Sequence, residues 1–129
     1  MILITLLLSA IGAAGLRAQT SYSCHYREYC DWNDVDDKFE NCEGYDEASL
    51  FVMNKDETMF SHTIETMKST YYVQKKEYDA ENDVYTYDVV SDVGNKYFYI
   101  FDTKNKEIRA VFTKDDQIRL VRFYIKAVF

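Results

Sequence analysis

From residue 48 onward, short runs rich in Tyr, Phe, Val, Ile and Thr alternate with tight polar breaks. The runs cover 49–54, 58–65, 69–78, 84–91, 96–102, 107–114 and 118–128. The breaks between them are built from Asp, Asn, Gly, Lys and Glu, several of them turn-forming residues, and strand-forming runs at this spacing read as an all-β chain. The breaks are too short for crossover helices, so sequence neighbours should pair antiparallel as a meander. The chain contains no proline, so no run carries a residue unable to donate to a strand ladder.

Side-chain alternation supports the same reading. In 84–89, Tyr85, Tyr87 and Val89 share one face, and Thr86 and Asp88 share the other. In 97–101 nearly every side chain is apolar or aromatic, which predicts a strand covered on both faces. The segments 108–112 and 118–123 resemble each other at a ten-residue offset, which predicts similar strand environments.

The stretch before residue 48 is less regular. Residues 22–30 predict a first strand with Cys24, Tyr26, Glu28 and Cys30 on one face. Within 33–41, Val35 and Phe39 lie four apart, predicting one or two helical turns capped by Asn33 or Asp34. The expected fold is therefore all-β: an antiparallel meander of about eight strands with one short helix near the N-terminus. Such a sheet either closes as a small up-and-down barrel or stays open and strongly curved, with the helix packed on it. As architecture alone, the closed form resembles the calycin-type barrels of lipocalins and fatty-acid-binding proteins. The Gly-x-Trp opening of lipocalins is absent, because Trp32 follows Cys30-Asp31.

Residues 1–18 have the layout of a secretory signal peptide: an apolar run from Ile2 to Leu8, then small residues ending at Ala18. The run is well short of the roughly 20 residues needed to span a bilayer as a helix. Cleavage after Ala18 would leave one domain, 19–129, in an exported protein that is secreted, periplasmic or held at the cell surface. Loss of Arg17 leaves 14 basic against 22 acidic residues, a net charge of −8. That balance argues against nucleic acid, whose phosphates need a basic footprint.

Export makes a disulfide reasonable among Cys24, Cys30 and Cys42. If 24–30 is one extended strand, its ends stand about 20 Å apart, beyond the ~7 Å limit for bridged Cα atoms. Cys30–Cys42 is the favoured pair, with Cys24 left over.

Motifs for chemistry are sparse. His25 and His62 are the only histidines, and no Gly-x-Ser-x-Gly elbow accompanies Ser61 or Ser69. A strand histidine hydrogen-bonded locally is the plainer account of His62. The acidic stretch 31–37 opens like a calcium loop but puts Val35 at a ligand position and Asp36 where glycine is required. No metal or cofactor is expected.

Aromatic content stands out, with twelve tyrosines, eight phenylalanines and Trp32. Tyr71, Tyr72, Tyr85, Tyr87, Tyr97 and Tyr99 are candidates for a binding platform, weighed against ordinary cross-strand pairing. Composition and motifs point to a non-catalytic binding or interaction module, using an aromatic sheet face or the barrel interior. Its partner would be a protein, a glycan or a small apolar ligand. The alternative is a small exported hydrolase using carboxylates or His62.

Overall fold

The computed structural model describes residues 19–129, so the expected signal peptide at 1–18 lies outside the described residues. Eight antiparallel strands follow one another around a closed barrel. They are β1 (Thr20–Asn33), β2 (Lys38–Met53), β3 (Met59–Ile64), β4 (Met67–Asp79), β5 (Val84–Ser91), β6 (Lys96–Asp102), β7 (Glu107–Lys114) and β8 (Gln117–Val128). Each strand pairs with its sequence neighbour, and β1 closes the ring on β8 from Tyr22↔Val128 to Asp31↔Arg119. An eight-stranded barrel is just wide enough for side chains to fill its interior. None of the described residues forms a helix long and apolar enough to cross a membrane.

The helical turns expected at 33–41 do not form. Asn33 ends β1, and its Oδ1 accepts the backbone N–H groups of Val35 and Asp36 at 2.9 and 3.1 Å. This Asx arrangement turns the chain straight back into β2. Val35, 92% exposed at the tip, therefore has no helix face to share with Phe39, which pairs with Trp32 across the hairpin. Similar side-chain caps shape other breaks. Asp79 accepts from the N–H groups of Glu81 and Asn82, and Asp102 from that of Asn105.

The β7–β8 turn is tighter. Asp115 and Asp116 have φ of 53° and 61° between the paired Lys114 and Gln117, the left-handed pair of a two-residue hairpin loop. This geometry overturns the expected likeness of 108–112 and 118–123. Ile108 points into the barrel and is fully buried, whereas Ile118 pairs with Thr113 on the outer face and is 40% exposed. The outer face of 97–101 is likewise uncovered at Phe98.

Two irregularities in β1 redirect side chains. A register shift between Cys24 and Tyr26 places Cys24 in the core while Tyr26, Glu28 and Cys30 face outward, so these four do not share a face. A second shift sets Cys30 opposite Asn41 and Cys42. There the expected Cys30–Cys42 disulfide forms, with Cα atoms 4.1 Å apart. Cys24 is the free, buried cysteine. Burial pushes its thiol up to about 12 despite a hydrogen bond with Ser49, which leaves it unreactive.

The interior is built around Phe51, whose ring lies 4.9 Å from Phe123 and 6.2 Å from each of Phe60, Tyr99 and Phe101. Most of these rings meet edge to face, the arrangement their quadrupoles favour. At the end of the barrel holding the chain termini, the β2–β3 loop folds inward. Glu57 there accepts the Tyr87 hydroxyl at 2.8 Å and pairs with Lys76. The outer wall carries an ion ladder of Glu28, Arg122, Glu107, Arg109 and Asp102. Arg122 Nε lies 2.8 Å from Glu107 Oε1 as a charge pair but is misaligned for a hydrogen bond. Charges on the outside and rings within are the reverse of a lipid-facing barrel.

Two stability changes follow. Replacing Asp116 by Gly removes the strain of a left-handed non-glycine residue and should stabilise the fold by about 0.5–1 kcal/mol, read as a higher urea midpoint at unchanged slope. Removing the disulfide as the Cys30→Ser, Cys42→Ser double variant frees a loop of sequence separation 12. It should cost roughly 2–3 kcal/mol in the same measurement.

Candidate functional site

Alternation along the strands decides which side chains meet inside. Arg27 and Tyr29 of β1, His62 of β3, Tyr71 of β4, Tyr97 and Tyr99 of β6, Ala110 and Phe112 of β7, and Arg119, Val121 and Phe123 of β8 converge at one end. They line a recess of about 280 Å³, with Lys114 at its edge. This mouth lies opposite the Glu57 loop, among the β1–β2, β5–β6 and β7–β8 turns. Below it the aromatic cluster fills the barrel, so the recess is a pocket with a floor and not a channel.

Arg27 is the central polar group. Its guanidinium lies 5.0 Å from the Tyr29 ring centre and 5.2 Å from that of Phe123, within cation–π range of both. One nitrogen donates to Glu47 at 3.1 Å. Its Nε is buried and has no partner among the described residues. Arg119 donates from one nitrogen to Asp31 at 3.3 Å and from another to Gln117 at 3.4 Å, while its Nε is buried and has no partner among the described residues.

His62 completes the set. Its ring stacks on Phe51 at 4.1 Å and 8° between planes, and its other neighbour Phe123 meets it edge-on at 4.8 Å. Burial, reinforced by the positive charge of Arg27, pushes its pKa down to about 4. It is therefore neutral near pH 7, and its Nε2 is buried without a partner among the described residues. Stacking on Phe51 and the edge of Phe123 holds the ring in place.

The candidate tyrosines divide between the two ends. Tyr71, Tyr97 and Tyr99 line the recess. Tyr99 is almost wholly buried, and burial, with Tyr71 beside it, raises its hydroxyl well above the ordinary phenol range. Tyr87 lies inside the barrel at the opposite end, bonded to Glu57. Tyr85 is half exposed there, with the Lys76 ammonium 4.7 Å over its ring. Tyr72 faces solvent. Tyr71, Tyr87 and Tyr99 are thus core residues and do not contribute to an outer platform.

Arg27 and Arg119 were not legible as site residues. Both sit in alternating strand patterns that fit a solvent-facing position equally well, and only ring closure places them inside. A larger and more open groove of about 1130 Å³ runs over the outer wall past Val90, Phe98, Val111 and Ile118. It lacks the convergent buried polar atoms of the mouth. The Glu28, Cys30 and Cys42 grouping is no metal site, because the two sulfurs are bonded to each other.

Compared with protein-family models, curated proteins and solved structures, the chain matches none of them.

The depressed His62 pKa has a consequence for stability. The unfolded chain protonates this histidine near 6.5 and the folded barrel near 4, so its contribution is fully present above pH 6.5. It is lost as pH falls from 6.5 to 4, by about 3 kcal/mol in total. Chemical denaturation from pH 7 to 4 should show this loss, and His62→Phe should remove that part of the slope.

Proposed function

We propose that this chain is a non-catalytic binding protein that holds a small organic ligand in the recess at the mouth of its barrel. One observation carries the reading: of the four buried side-chain polar atoms without a hydrogen-bond partner among the described residues, three, Arg27 Nε, His62 Nε2 and Arg119 Nε, belong to residues lining that one recess. Folded proteins leave few such groups, and each costs about 1–3 kcal/mol when nothing serves it. A concave, largely aromatic pocket with a few convergent polar groups is the usual form of a small-molecule site. At about 280 Å³ the recess suits a molecule of one or two rings.

The Cys30–Cys42 disulfide and the leader-like segment are compatible with action outside the cytoplasm. Catalysis draws no support from this geometry. A hydrolytic base needs an orienting group or a nucleophile on its ring nitrogen, and His62 Nε2 has neither among the described residues.

Titration with a panel of one- and two-ring aromatic compounds, followed by backbone amide NMR, tests the reading. Shifts should concentrate at Arg27, His62, Tyr97 and Ala110. Ala110→Phe fills the recess from its wall, at an overpacking cost of about 1–3 kcal/mol. It should abolish those shifts while the variant keeps its amide dispersion. Shifts centred on Phe98 and Ile118, or undiminished in the Ala110→Phe variant, would place binding on the outer wall and sink the proposal.

A further inference from the structure

Resting on the mouth as a ligand site, the geometry points to a small aromatic carboxylate as its ligand, the ring between aromatic walls and the carboxylate on Arg27 and Arg119. The charge count comes first. Arg27, Arg119 and Lys114 line the recess, and two carboxylates, Glu47 and Asp31, are paired to it. His62 is neutral. Three cations against two anions leave a single positive charge, in a chain whose overall charge is −7. A monoanion would neutralise the recess, whereas an amine would add to an uncompensated positive charge in a partly desolvated place.

Hydrogen-bonding capacity agrees. A guanidinium has five N–H donors and no acceptor. Arg27 gives one nitrogen to Glu47, and Arg119 gives one to Asp31 and one to Gln117, which leaves the buried Nε–H groups as donors without acceptors among the described residues. Only an acceptor can satisfy them, and a carboxylate matches the planar fork of a guanidinium best. His62 Nε2 adds a third polar atom, able to donate in one tautomer.

The walls select the rest of the molecule. Tyr29, Tyr71, Tyr97, Tyr99, Phe112 and Phe123 surround the recess with ring faces and edges. Several already pair with one another: Tyr97 lies 5.3 Å from Phe112 and 5.5 Å from Tyr71. A flat ring extends this packing, and a flexible alkyl chain would meet the filled floor formed by Phe51 and Phe60.

Calorimetric titration of the protein with indole-3-acetate, its neutral amide indole-3-acetamide, and indole tests the inference. The carboxylate should bind at least tenfold more tightly than the amide, the difference expected for a charge-assisted pair. The Arg27→Gln, Glu47→Gln double variant removes both members of one ion pair and avoids stranding a buried charge. It should erase most of that preference. Equal binding of carboxylate and amide would overturn the carboxylate and leave the mouth standing as a ligand site. Binding of indole alone would do the same. Binding of none of the three overturns the inference, and the amide-shift titration with Ala110→Phe then decides separately whether the mouth binds anything.

Discussion

Closure of the sheet by β1 against β8 is the constraint on which the rest of this structure depends. The pairing runs from Tyr22↔Val128 to Asp31↔Arg119 and joins strands almost the whole chain apart. It removes both sheet edges, which in an open eight-stranded meander would stay unpaired and aggregation-prone. It also defines an inside. Without it, Phe123 and Val121 of β8 could not meet Phe51 of β2 and Arg27 of β1, and neither core nor recess would exist. Long-range pairing of this kind is entropically costly to form, and the dense ring contacts around Phe51 are what offset it.

The barrel is asymmetric along its axis for a reason visible in its side chains. Toward the chain termini, Phe51, Phe60, Phe101 and Tyr87 fill the cross-section and the Glu57 loop covers the end. Toward the hairpin turns the inward positions become Arg27, Tyr29, Arg119 and Tyr97. These are longer residues with polar tips, which lean on the aromatic walls without meeting at the axis. One filled end and one recessed end thus come from a change of residue type along the same inward-facing rows. The bulges in β1 assist by turning Cys24 inward at the filled end, and by setting Cys30 against Cys42 beside the mouth.

Electrostatics separate the inner and outer surfaces. Outside, carboxylates and arginines alternate along a half-buried ladder in which every arginine faces a carboxylate. Inside, Arg27 is held by Glu47 and the rings of Tyr29 and Phe123, Arg119 by Asp31 and Gln117, and a neutral histidine sits between Phe51 and Phe123. Taking charges out of water is costly unless they are fully paired, and these two are only partly paired. A recess kept in that condition by an otherwise well-satisfied fold is where local stability yields to a site's requirements.

Strand identity was local and therefore legible: β-branched and aromatic runs bounded by Asp, Asn and Gly mark β5, β6 and β7 to the residue. The 30–42 pairing was also open to reasoning, since an extended strand holds Cys24 too far from Cys30. The segment 33–41 was not legible, because Val35 and Phe39 at helical spacing outweighed an Asn whose side chain caps a hairpin. Nor could sequence assign faces across a bulge or a two-residue turn, where one residue reverses every side chain beyond it. That is why Ile108 and Ile118, alike in their neighbours, ended on opposite sides of the wall. The chain by itself determined that strands form and where they break, because propensity and turn chemistry act over a few residues. Only the tertiary structure decided which arginines lie inside, because that depends on register summed around a closed ring.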